Sequence, residues 1–83
     1  MPKIELKDIS NFVLIARTGS LTRATMVSGV PKATLSHSIR RLEDMLEVEL
    51  FLRSQKGLHL TDAGRALLDN SARVFDSIEV ATS

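Results

Sequence analysis

Between residues 32 and 41 the chain gathers Lys32, Ala33, Thr34, Ser36, His37, Arg40 and Arg41, and no acid occurs from residue 24 to residue 42. Set on a helix at about 100° per residue, Leu35, Ile39, Leu42 and Leu46 form one stripe, and Ala33, His37, Arg40, Arg41 and Asp44 fall opposite it with Ser36 on a flank. Small side chains near the start of that face would allow close approach to a major groove, and the donors beyond them would reach base edges and phosphates. Lys32 and Thr34 stand in the first turn, where free backbone N–H groups and the helix dipole favour phosphate. A solvated surface helix would give a similar wheel. The missing acids favour nucleic acid.

A second basic group follows in Arg53, Lys56 and His59, around the polar turn Ser54-Gln55-Lys56-Gly57. A two-stranded wing of this kind can lay its tip along the sugar-phosphate backbone or place an Arg in a narrow minor groove. Arg53 is assigned that role, with a salt bridge to Glu47 or Glu49 as the alternative. An enzyme would need converging reactive groups, yet the chain has no Cys, no Tyr, two His and no Gly-rich phosphate loop. His37 and His59 would lack a third ligand as a metal pair. No catalytic residue, metal or cofactor is assigned.

The formal charge of +1 conceals a polarised chain. Residues 1–41 carry seven Lys or Arg against two acids, and residues 42–83 carry four against eight. Phosphate binding depends on a local basic surface rather than on the total, so a net charge near zero does not exclude it.

These side chains need elements to hold them. Residues 8–18 place Ile9, Phe12, Val13 and Ala16 on one helical face, with Asp8 expected to cap and Gly19 to terminate. Ser20 is a good N-cap for a short second helix whose Leu21, Ala24 and Val27 would face inward before Gly29. After the break at Ser28-Gly29-Val30-Pro31 comes the basic helix, residues 32–46, which Pro31 is placed to open. Two helices joined by a short Gly-containing turn make a helix-turn-helix, although a structural αα-hairpin has the same outline. Val48 to Arg53 and Gly57 to Leu60 read as two short strands. Thr61 would then cap a last helix in which Leu67, Val74, Ile78 and Ala81 form an apolar stripe, widened by Leu68 and Phe75.

Length and composition agree with one small core. The chain has 83 residues, 43% of them apolar and 25% charged. A domain of this size is marginal unless its helices pack well or it associates with a partner. No window reaches the roughly 18 apolar residues of a spanning helix. Lys3, Glu5, Lys7 and Asp8 interrupt any signal-like run, so a cytoplasmic chain with no membrane contact is expected.

The run GSLTRATMVSGVPKATLSHSIRRLEDMLEVELFLRSQKGLHLTDAGRALL resembles the LysR-type transcriptional regulators. Their pattern has a Gly-Ser-Phe opening, an Ala-rich second helix, Leu-Ser-Arg-Gln-Ile-Arg-Arg-Leu-Glu, Leu-Phe-x-Arg and Leu-Thr-x-Ala-Gly, and five such motifs occur here in order. The resemblance implies a mainly α fold, a winged helix-turn-helix of three helices and a two-stranded wing over residues 1–60. A long linker helix over 61–83 would then pair two subunits through Leu67, Val74, Ile78 and Ala81. It also implies that Lys32, Ala33, Ser36 and His37 meet bases or adjacent phosphates and that Arg53 is the wing Arg. Two recognition helices would occupy successive major grooves of an interrupted dyad in double-stranded DNA. An effector-binding domain is expected beyond residue 83, and the full-length family members often assemble as tetramers. The chain departs from the pattern at His37, usually Arg, and Ser38, usually Gln. Pro31 stands at the usual Ser cap, Ser28 at a usual buried Leu and Glu47 at a usual Gly.

Overall fold

In a computed structural model the described residues are 4–71. They form α1 (Leu6–Thr18), α2 (Leu21–Ser28), α3 (Lys32–Leu46), β1 (Phe51–Ser54) and β2 (Gly57–Leu60), and a further helix, α4, whose described part is 62–71. Among these residues no helix is long and apolar enough to cross a membrane.

The first helix begins two residues before the expected start, with Glu5 at its N-cap and no side-chain cap. Asp8 therefore does not cap. It lies within the first turn and is 1% exposed, because the inner face of α1 runs through Asp8, Asn11, Phe12 and Ile15. Ile9 and Ala16, expected on that face, are half-buried.

The second helix is capped as its sequence predicts, the Arg23 N–H donating to Ser20 Oγ at 2.9 Å. Val27 does not face the core and is 68% exposed. The helix ends one residue later, and the half-buried Val30 packs on the core in its place. Gly29 supplies the left-handed turn (φ 79°) that lets α3 follow at once. Ser28, exposed rather than buried, serves this turn by donating to the Ala24 carbonyl at 2.7 Å and accepting from the Val30 N–H at 3.1 Å.

α3 spans the expected residues, with Pro31 as N-cap, and the Leu35 N–H donates to the Pro31 carbonyl at 3.1 Å. Its stripe is inward: Leu35, Ile39 and Leu42 join Phe12, Val13, Ile15, Ala24 and Leu50 in one core. Each such large apolar side chain contributes roughly 1.5–3 kcal/mol on burial.

Strand β1 begins at Phe51 rather than Val48. Glu47 takes a left-handed conformation (φ 57°), and the Val48 N–H turns back to the Glu43 carbonyl at 3.3 Å. The Leu50 and Phe51 N–H groups then donate to Glu43 Oε2 at 2.8 and 3.5 Å, so residues 47–50 wrap the end of α3 instead of pairing. The wing is an antiparallel hairpin in the register Phe51↔Leu60 and Arg53↔Leu58, closed by Gln55 and Lys56. Phe51 fastens it to α1, its ring 5.3 Å from that of Phe12 and tilted 48°.

Thr61 caps α4, accepting from the Gly64 N–H at 2.9 Å. Its own hydroxyl donates to the Glu49 carbonyl at 2.6 Å and its N–H to the Leu50 carbonyl at 3.0 Å. A Cβ at Gly64 would collide with the Leu50 carbonyl oxygen, so only glycine lets α4 seat here. Leu67 and Leu68 are half-buried against the same core.

Glu47 supports a stability prediction, since the left-handed conformation costs a non-glycine residue roughly 1–2 kcal/mol and an acid is unfavourable at a helix C-terminus. Glu47→Gly should stabilise the chain by about 1 kcal/mol, raising the melting temperature by about 4–8 °C in a domain of this size. Thermal unfolding followed by circular dichroism measures it, and an unchanged or lower midpoint would count against strain at this position.

Candidate nucleic-acid interface

Pro31 fixes the start of α3 without offering a side-chain hydrogen bond, and no acid occupies the first turn. The opening N–H groups of α3 thus have neither a side-chain cap nor a local negative charge, a combination that suits an anion. Lys32, Ala33, Thr34, His37, Arg40 and Asp44 are exposed along α3, and Ser36 is half-buried on the side toward the wing.

The fold brings the wing to this face. A cleft of about 260 Å³ opens between the start of α2, the start of α3 and the hairpin, with Lys32 and Arg53 both on its walls. A smaller hollow of about 40 Å³ has Ser36, Glu43 and Arg53 among its lining residues. Among the described residues no ion pair joins Arg53 to Glu47 or Glu49, so the competing reading of this Arg has no support. Lys56 is exposed at the tip of the hairpin.

Thr22 and Ser54 line the same cleft and join the candidate set. Neither carries a sequence signal of its own. Thr22 follows a legible N-cap and Ser54 opens a legible turn, but their convergence on Lys32 exists only once the wing folds back. Ser54 also organises the hairpin, its Oγ accepting from the Lys56 N–H at 3.2 Å and lying 3.1 Å from His59 Nε2.

Arg41 is the exception among the α3 residues assigned to DNA. Its Nε and Nη2 donate to Asp8 Oδ2 and Oδ1 at 2.8 and 2.9 Å, a bidentate pair joining α3 to α1. One turn away Asn11 Nδ2 donates to Ser38 Oγ at 2.9 Å in a buried contact. Burial pushes the Asp8 carboxyl up, but the Arg41 hydrogen bonds, a contribution from the Ser38 hydroxyl and attraction to Arg41 and His37 outweigh it and hold the group below its ordinary value. Of the expected pairing stripe, Leu67 is half-buried against this chain's own core, and Val74, Ile78 and Ala81 lie outside the described residues. Among the described residues no group of three His, Cys, Asp or Glu is placed to hold a metal.

The arrangement can be compared with known proteins. The family model described as "Bacterial regulatory helix-turn-helix protein, lysR family" matches residues 6–65. The transcriptional activator AmpR of Providencia stuartii is 43% identical over 77 residues, covering 93% of this chain and 26% of that protein. A putative transcriptional regulator of Pseudomonas aeruginosa is 40% identical over 79 residues, covering 95% and 26%. The chain thus spans about a quarter of the length of these curated relatives, which are regulators rather than enzymes by name. Among solved structures, a complex of the CbnR DBD with DNA matches with a TM-score of 0.83 at 27% identity, over 94% of this chain and 90% of that one. The full-length virulence activator AphB of Vibrio cholerae matches with a TM-score of 0.85 at 29% identity, over 94% and 27%. The three-helix core and two-stranded wing are therefore a winged helix-turn-helix, and the match across residues 6–65 takes in every element from α1 to the start of α4. On that span of sequence and that fold together, the chain belongs to the LysR family of bacterial regulatory helix-turn-helix proteins.

Proposed function

We propose that this chain is the double-stranded DNA-binding module of a transcriptional regulator, with α3 reading bases in the major groove and Arg53 of the wing reaching the minor groove. One observation carries the reading: the exposed, acid-poor start of α3 shares a cleft with the wing Arg, so a single duplex surface would meet Lys32, Ser36, His37 and Arg53 together. The solved DNA complex with the same fold supports it. Residues 1–60 would form the DNA-reading unit. Residues 61–83 would form a helix that pairs two copies on an interrupted dyad site. In the whole protein, an effector-binding domain for a small molecule would follow and further assembly to a tetramer would occur in the cytoplasm. A winged helix can also serve as a protein-binding adaptor, and gel-shift binding to non-specific duplex at low salt separates the two.

Affinity for duplex should fall steeply with salt, each phosphate neutralised by Lys32, Arg40, Arg53 or Lys56 adding roughly 0.9 to the slope of log affinity against log salt. A filter-binding series between about 50 and 200 mM salt measures this, and an affinity that does not change over that range would exclude phosphate contacts.

Base reading and positioning should separate by residue. His37→Ala is expected to narrow the gap between a selected and a scrambled duplex by about 1–3 kcal/mol. Arg53→Ala should weaken both, with extra loss where A·T-rich flanks narrow the minor groove. Equal losses on both duplexes for His37→Ala would make His37 a phosphate ligand or a structural residue instead.

Pairing through the last helix predicts that Val74→Asp with Ile78→Asp sets four carboxylates against one another across a two-fold axis. The expected result is a folded monomer by circular dichroism and sedimentation, with affinity for a dyad site reduced to that for a half-site. A double variant that still sediments as a dimer would move the interface elsewhere, and one that unfolds would assign the stripe to the core of a single chain.

A further inference from the structure

We propose that Asp8 is a positioning residue for base reading: by holding Arg41 against α1 it fixes how α3 is turned about its own axis and keeps the Arg41 charge off the DNA backbone. The inference rests on the DNA-binding reading above and adds a residue to it that lies on another helix and is itself out of reach of DNA.

The geometry consists of two rungs. Asp8 and Asn11 are three residues apart on α1, and Ser38 and Arg41 are three apart on α3, so each pair lies along one helix face. Asp8 meets Arg41 and Asn11 meets Ser38, with the order reversed between the helices, so the two run antiparallel at this contact. An apolar seam tolerates some rolling of one helix over another, because dispersion is non-directional. A bidentate guanidinium–carboxylate fork and a buried amide–hydroxyl bond do not. Rolling α3 by even a fraction of a residue step would break a rung and leave a buried polar group unpaired.

The burial of Asp8 also decides where the Arg41 charge goes. Its side chain is 45% exposed, so on accessibility alone it could swing to a phosphate. Asp8 is 1% exposed and cannot turn to water in exchange. Moving Arg41 would strand a buried carboxylate, a larger loss than one surface phosphate contact returns. Arg41 therefore stays on α1, and the Lys and Arg cations α3 presents to DNA reduce to Lys32 and Arg40. The lowered Asp8 carboxyl is consistent with a firmly held pair.

The test uses the 83-residue chain, the duplex it selects from a random pool, and a scrambled duplex of the same length and composition. Arg41→Gln should leave the salt slope and the affinity for scrambled duplex unchanged and lower the affinity for the selected duplex about tenfold. Ser38→Ala, which removes the other rung and a contribution to the Asp8 carboxylate while leaving every charged residue in place, should likewise lower discrimination at an unchanged slope. A slope shallower by about 0.9 for each bound copy of Arg41→Gln, with equal loss on both duplexes, would make Arg41 a phosphate ligand and overturn the inference alone. Full discrimination in Ser38→Ala would overturn the helix-setting role. Should circular dichroism show that Arg41→Gln does not fold, Arg41→Lys keeps the charge and removes the fork, and undiminished discrimination in that variant would also overturn the proposal. A wild-type chain that binds neither duplex would overturn the proposed function and this inference with it.

Discussion

The carboxylate of Glu43 stands where three parts of the chain meet, and the order of the second half follows from its hydrogen bonds. Leu50 is wholly buried, so its N–H has no water to turn to, and an unsatisfied buried donor costs about 1–3 kcal/mol. Glu43 accepts from that group and from its neighbour on Phe51, which bends the chain back along α3 and delivers Phe51 to the ring of Phe12. The carbonyl of the same Leu50 then receives the first donor of the segment that opens α4. One acid on α3 thus satisfies the chain where it enters the wing, at the same Leu50 whose carbonyl receives it where it leaves.

That arrangement explains how so small a domain can leave one helix face bare. α3 is gripped by Leu35, Ile39 and Leu42 from the core side, by Ser38 and Arg41 from α1, and by Glu43 from the wing segment. These anchors occupy a little over half of the helix circumference. What remains is the strip from Lys32 through Ala33 and His37 to Arg40, which is exposed to solvent. The wing flanks the strip, and its Arg53 adds a cation that the helix itself could not place there.

Much of this was legible in the sequence where the signal is local and periodic. The leucine and isoleucine stripe of α3 set both its limits and its outward face, and Ser20, Gly29 and Thr61 marked the caps and turn that the fold uses. Signals with two physical meanings do not resolve from sequence alone. An acid at the start of a helix looks the same whether it caps that helix or pairs with an Arg 33 residues away, so the sequence assigns Asp8 a cap and sets Arg41 on the outward face, while the structure joins the two. Val48 to Leu50 has the composition of a strand, but its donors are claimed by a helix end and a side chain. Val27 fits an inward face on the wheel, but its helix stops before the next turn could bury it. Hydrogen bonds between elements decide the first two and a helix end the third, and no periodicity records them.

The seat of Gly64 against the Leu50 carbonyl leaves no room for slack between the wing and the helix that follows it. Many DNA-binding modules hang from a tether, and the reach of a tether adapts to whatever separates two half-sites. Here the direction in which the chain departs is cut into the backbone itself, more like a mitred joint than a hinge. Two copies braced through such joints would act as a calliper with fixed jaws. A site with a few base pairs too many or too few would then have to be met by bending or twisting the duplex, whose stiffness would become part of what the protein measures.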